Sequence, residues 1–139
     1  RAALERRGSR FARRILTGAE LSAKPARTAG SASVGSAGRD ETAPWTARQI
    51  EWLAGRFAAK EAVMKALGTG WRAGVSWREI EIIRLPSGEP RVRLSGRAEA
   101  AARRRGVSAV WVSISHDRRQ AIAQAVAVQD DPARPGGRG

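Results

Sequence analysis

Apolar residues along this chain recur in two rhythms, helical in the first half and alternating in the second. Leu4, Phe11 and Ile15, spaced by seven and four, predict a helix over residues 1–21 with arginines on its other faces. Gly8 is expected to break or kink it. From Ser22 to Pro44, Ala, Gly, Ser, Thr and Pro follow one another without periodicity, which predicts a long loop, a flexible insertion over residues 22–45. Thr46, with Gln49 three residues on, has capping-box spacing. It opens a helix predicted to run to about Leu67, where Gly68 supplies the stop. Ile50, Leu53, Phe57 and Met64 fall within a narrow arc and set its apolar face.

After this helix the period shortens to two. Ile80 and Ile82 alternate with Glu79 and Glu81, Pro86-Ser87-Gly88 makes a turn, and Val92 and Leu94 alternate with Arg91 and Arg93. These two runs predict a hairpin. Residues 96–106 read as a short Ala- and Arg-rich helix. Val110, Val112 and Ile114 mark a further strand, with Ile122, Val126 and Val128 on its antiparallel mate. The predicted class is α+β, one long helix packed on a small, mostly antiparallel sheet. A single domain over residues 1–128 is expected, followed by a Pro/Gly/Arg-rich disordered tail over 129–139.

Composition narrows the function classes. The chain has no cysteine, which removes disulfides, thiolate catalysis and zinc–sulfur sites and favours a cytoplasmic setting. No apolar run is long enough to span a membrane. The formal net charge of +13 implies an acidic partner: a phosphate-rich cofactor, an acidic protein, an anionic membrane or nucleic acid. Lysine occurs only at 24, 60 and 65, so the positive charge is nearly all arginine.

Three places carry candidate chemistry. Glu61 falls beside Phe57 and Met64 on the apolar arc, and Lys65 is one turn further on. The two are either a surface ion pair or a carboxylate for Mg²⁺ beside an ammonium for phosphate. Gly68-Thr69-Gly70 is either a simple helix cap or a loop whose backbone N–H groups cradle a phosphate. His116, the one histidine, lies at a strand end, as a structural residue or a binding group. A Ser–His–Asp hydrolase is set aside, because adjacent His116 and Asp117 project differently and no nucleophile elbow is present.

In order along the chain, several blocks resemble the holo-acyl-carrier-protein synthase family of 4′-phosphopantetheinyl transferases. They are Arg10-Phe11-Ala12-Arg13-Arg14-Ile15-Leu16-Thr17 with Glu20-Leu21, then Phe57-Ala58-Ala59-Lys60-Glu61-Ala62, and Lys65-Ala66-Leu67-Gly68-Thr69-Gly70. Glu79-Ile80-Glu81-Ile82 and Val112-Ser113-Ile114-Ser115-His116-Asp117 complete the set. The resemblance covers most of residues 1–21 and 46–128. It implies a small α+β homotrimer with sites between neighbouring subunits. It further implies transfer of the phosphopantetheine arm of coenzyme A to a serine of apo-acyl carrier protein, in fatty-acid or polyketide synthesis. Mg²⁺ is the implied cofactor and 3′,5′-ADP the by-product.

By this resemblance Glu61 is a metal ligand and Lys65 acts at the reacting phosphates. Arg56, Gly68, Thr69, Gly70 and His116 contact coenzyme A, and Arg10, Arg13 and Arg14 dock the acidic carrier protein. The serine proton passes to Glu61 or to a metal-bound water.

The family pattern also opens with a strand of the type Gly-hydrophobic-Asp-hydrophobic, expected just before Arg1, whose aspartate binds the metal. No residue of this sequence matches it, so a chain with little activity, or an inactive fragment, is one expectation. Asp117 and Glu20 are the nearest acidic stand-ins by residue type. A basic nucleic-acid-binding module is the competing reading, disfavoured because the arginines are spread along the whole chain and the five tryptophans form no stacking strip.

Overall fold

Three helical segments precede two hairpins in a computed structural model that describes residues 2–27, 44–69 and 74–130. Most of the predicted 22–45 loop, the predicted tail from 131 onward, and Gly70 lie outside the described residues. Helix α1 spans Ala2–Ile15, α2 Gly18–Ser22 and α3 Ala47–Leu67. A 3₁₀ turn at Trp77–Glu79 leads into strands β1 (Ile80–Arg84) and β2 (Pro90–Leu94). Helix α4 (Gly96–Arg104) then connects to β3 (Val107–His116) and β4 (Ala121–Gln129).

The first helix departs from expectation. Gly8 does not break α1; it is buried, and a Cβ there would sit 3.1 Å from the Trp45 ring. The glycine therefore serves close packing. The break falls at Leu16–Thr17, where Thr17 caps α2 through a reciprocal box. Thr17 Oγ1 accepts from Glu20 N at 3.2 Å, and Thr17 N donates to Glu20 Oε2 at 2.8 Å. The α3 boundaries agree with the sequence reading. Thr46 and Gln49 form the predicted box, and Gly68 ends the helix in the left-handed conformation at φ +65°.

Each hairpin is a two-stranded antiparallel sheet. In the first, Ile80 pairs with Leu94 and Ile82 with Val92, closed by the Pro86-Ser87-Gly88 turn. In the second, Val110, Val112 and Ile114 share a face with Ala127, Ala125 and Ala123, and this face packs on α3. Alanines there let the helix approach the strands closely. The larger apolar residues of β4 go the other way: Ile122 and Val126, with Trp111 of β3, remain more than half exposed. The strand was legible from these residues, but the face they occupy is the outer one.

The buried side of α3 also lies about a quarter-turn round from the predicted apolar arc. Leu53 and Met64 are buried, but Ile50 and Phe57 are only half-buried. The deepest side includes Gln49, Arg56 and Lys60 beside Leu53, Val63 and Leu67. Polar residues on the buried side blur the hydrophobic pattern, which explains the displaced arc.

Lys60 is fully buried. Its Nζ donates to Ile15 O (2.8 Å), Ile80 O (2.6 Å) and Trp77 O (3.1 Å), and to Glu20 Oε2 (2.8 Å). Glu20 is equally buried, and its Oε1 accepts from Ile82 N at 3.0 Å. Burial pushes the Lys60 ammonium below its ordinary pKa, and the Glu20 carboxylate opposes that shift. Removing one partner strands a buried charge, at a cost of about 3–5 kcal/mol. We therefore expect Lys60→Met or Glu20→Gln, measured by urea unfolding, to remove most of the margin of a small domain. The double variant should recover only part of the loss, because the backbone groups that the pair satisfies stay unpartnered. Additive single losses in the double-mutant cycle would contradict the coupling.

Candidate functional site

Helix α3 presents the candidate residues on two of its sides. At about 100° per residue, Glu61, Lys65 and Gly68 fall within roughly 60° of one another, along about 10 Å of helix. Glu61 is half-buried, Lys65 exposed, and among the described residues they form no ion pair with each other. Both heads are thus available to a ligand. Glu61 borders Phe57, whose ring packs between Phe11 of α1 (5.7 Å) and Trp77 (5.0 Å). This aromatic row fixes the side of α3 from which Glu61 projects.

The turn read as either a helix cap or a phosphate cradle is closed on itself. Gly68 N donates to Lys65 O at 3.0 Å and Thr69 N to Met64 O at 3.2 Å, closing the C-terminus of α3. These two amides are engaged in the cap, so neither is free to meet a phosphate. Gly70 lies outside the described residues.

Arg56 lies about 140° round α3 from Glu61. Its guanidinium is buried and stacks over Trp52 with 4.1 Å to the ring centroid. Desolvation lowers its pKa to about 10, with Glu20 opposing and Arg84 adding to the fall. Its Nε has no partner among the described residues. A buried cation with an unmet donor is matched to an anion.

His116 approaches α3 at the neighbouring residue, Gly55, about 100° round the helix from Arg56. It continues the inward face of β3, and a Cβ on Gly55 would lie 3.1 Å from Ile114 Cγ2 and 3.6 Å from His116 Cδ2. Gly55 is what allows the strand end to come this close. The fold therefore groups His116 with Gly55, next to Arg56, and separates it from Glu61 and Lys65.

Neither proposed acidic stand-in converges with Glu61 on a metal site, and no group of three His, Asp or Glu side chains does so among the described residues. Both oxygens of Glu20 are occupied by Lys60, Thr17 N and Ile82 N. Asp117 Oδ1 accepts from Arg119 N (2.7 Å) and Gln120 N (2.9 Å) and holds the β3–β4 turn. Arg10, Arg13 and Arg14 are exposed on α1, opposite its buried Ala12 and Ile15. Sequence reasoning did not single out the Glu20–Lys60 pair. The Thr17-x-x-Glu20 capping box was the available signal for half of it.

A model of the 4′-phosphopantetheinyl transferase superfamily matches residues 1–126. The chain is 46% identical over 124 residues to a holo-[acyl-carrier-protein] synthase of Gloeobacter violaceus, covering 86% of this chain and 76% of that protein. It is 42% identical to the same-named protein of Desulforudis audaxviator, covering 92% and 82%. Among solved structures, a holo-(acyl-carrier-protein) synthase from Bacillus anthracis in complex with CoA (3′,5′-ADP) superposes with a TM-score of 0.63. It is 31% identical, and the match covers 93% of this chain and 89% of that one.

The Asp117 turn gives a direct check on local electrostatics. The N–H groups of Arg119 and then Gln120 hold the carboxyl below the ordinary aspartate value of 3.8. Its contribution is present above the unfolded value and lost as pH falls through the lower folded value. An NMR titration should place the Asp117 midpoint below 3.8. A midpoint at or above that value would mean the turn is not held this way.

Proposed function

The chain belongs to the 4′-phosphopantetheinyl transferase superfamily, and from that premise we propose that it is a holo-acyl-carrier-protein synthase. It transfers the 4′-phosphopantetheine group of coenzyme A to a serine of apo-acyl carrier protein and releases adenosine 3′,5′-bisphosphate. The observation that carries this reading is the Glu61–Lys65–Gly68 stripe on α3, in a chain so similar to proteins of that name.

In the reaction the serine oxygen bonds to the β-phosphorus of coenzyme A, and its proton passes to Glu61 or to a water. The bond from that phosphorus to the bridging oxygen breaks, and 3′,5′-ADP departs with the electron pair. Lys65, exposed at the end of α3, supplies positive charge to the phosphate as it is transferred. Glu61 suits Mg²⁺ as one protein ligand, since this ion keeps waters and takes further oxygens from substrate phosphates. When bound, Mg²⁺ neutralises phosphate charge and so lowers repulsion of the nucleophile. Arg56 and His116 are assigned to the nucleotide portion of coenzyme A, where a buried guanidinium whose Nε has no partner among the described residues gains an anion.

Two features favour a homotrimer with shared sites. Arg56 and Gly55, where His116 meets the helix, lie about 140° and 120° round α3 from Glu61 in opposite senses and more than a turn away along it, so a neighbouring copy is needed to close one cleft around all four. The β3–β4 ribbon also exposes Trp111 (61%), Val126 (60%) and Ile122 (57%), an apolar face suited to burial against other copies.

Incubation of the protein with apo-carrier protein, coenzyme A and Mg²⁺ should add about 340 Da to the carrier by mass spectrometry. Glu61→Gln should largely abolish transfer while the melting temperature holds. Light scattering should give three copies per particle. An unmodified carrier with the wild-type protein would overturn the reading in favour of the chain of little activity expected from the unmatched aspartate strand, and a monodisperse monomer that transfers at full rate would remove the shared site.

The carrier protein is proposed to dock on Arg10, Arg13 and Arg14. Exposed charges more than about 10 Å apart are screened at 0.1 M salt, so carrier affinity should weaken as salt rises. Charge reversal at these arginines should raise KM for carrier protein more than KM for coenzyme A. An affinity that stays flat across salt would exclude this docking face.

A further inference from the structure

The C-terminal end of α3 is an unfavourable place for a phosphate. A helix C-terminus carries partial negative charge from its last carbonyls, and the amides of Gly68 and Thr69 are already engaged in the cap. An anion at this turn must be held by side-chain cations. Lys65 supplies one. The fold brings a second from a distant part of the sequence.

Arg105 follows α4, and its backbone is fixed from several directions. Its N–H donates to Ala101 O and Ala102 O, and its carbonyl accepts from Gln129 Nε2 of β4 at 2.6 Å. Gly106, at φ +66°, then turns the chain into β3. From this anchor the side chain reaches back to α3. A Cβ built on Gly68 would lie 2.6 Å from both terminal nitrogens of Arg105 and 2.7 Å from its Cζ. The guanidinium therefore lies against the glycine by its two terminal nitrogens, in space that any other residue at 68 would fill. Among the described residues its N–H groups have no hydrogen-bond or ion-pair partner. It is held in place by its backbone anchors and the helix end, with its donors unspent.

We propose that Arg105 is a substrate-binding residue of the transfer site, gripping the pyrophosphate of coenzyme A together with Lys65 at the Gly68–Thr69 turn. This assignment rests on the transferase reading above. It gives the left-handed glycine at 68 a second purpose: besides ending the helix, it leaves room for a planar cation against the backbone. Arg105 also brings a planar array of donors, which Lys65 lacks.

The test is calorimetric titration of coenzyme A, and of dephospho-coenzyme A lacking the 3′-phosphate, into wild type, Arg105→Ala, Arg105→Lys and Arg104→Ala. Loss of a charge-assisted contact should raise Kd for coenzyme A by about tenfold or more in Arg105→Ala. The same factor should persist with dephospho-coenzyme A, and Arg105→Lys should recover part of it. Arg104→Ala removes the same charge from exposed α4 and should change Kd less than about twofold. An unchanged Kd in Arg105→Ala would overturn the assignment, as would a penalty that vanishes with dephospho-coenzyme A. If Arg105→Ala lowers the melting temperature, Arg105→Gln carries the same test, and wild-type affinity in that variant overturns the proposal. Wild-type protein that neither binds coenzyme A nor modifies carrier protein would overturn the transferase reading and this one with it. Normal wild-type transfer with normal Arg105→Ala affinity would overturn this one alone.

Discussion

The first half of the molecule is organised around one buried ammonium. Lys60 joins the end of α1, the start of α2, the 3₁₀ turn and β1 through three backbone carbonyls and one carboxylate. Taking a lysine and a glutamate out of water costs several kcal/mol per ion, repaid only when geometry and additional hydrogen bonds are complete. Here they are complete: Glu20 accepts from Lys60, Thr17 N and Ile82 N. The pair is thus better understood as a register device than as net stabilisation. It admits one roll of α3 about its axis, the roll that buries Lys60.

That roll has a direct consequence at the next residue. With Lys60 pointing inward, Glu61 is turned about 100° away, to the border between core and solvent. The Phe11–Phe57–Trp77 row packs beside it and resists rotation. A half-buried carboxylate at such a border is partly dehydrated yet reachable by ligand. The same roll turns Arg56 inward over Trp52 and sets Gly55 against the end of β3. One helix thereby presents the candidate residues in separate places, and this division is why the functional reading calls for more than one copy of the chain.

The second half solves a different packing problem. Alternation on β4 places alanines against α3 and leaves larger apolar residues outside. Close approach of helix and ribbon brings His116 to Gly55. It also leaves an outward apolar face that a lone domain would not normally expose.

The sequence by itself determined the elements and the family. Capping residues, the αL glycine at 68, the turn at 86–88 and the two periodicities are local signals, decided within a few residues of chain, and the long helix and both hairpins followed from them. The blocks around Lys60-Glu61 and Lys65 through Gly70 carried the family resemblance for the same reason, being contiguous. Tertiary structure decided which polar residues are buried, which face of β4 is inward, and which cation meets which loop. Glu20 and Lys60 are 40 residues apart, and Arg105 follows Gly68 by 37. Nothing local distinguishes Lys60 from Lys65, or Arg105 from Arg103 and Arg104. The cost of an unpaired buried charge depends on what packs around it, and that is set only when distant segments meet.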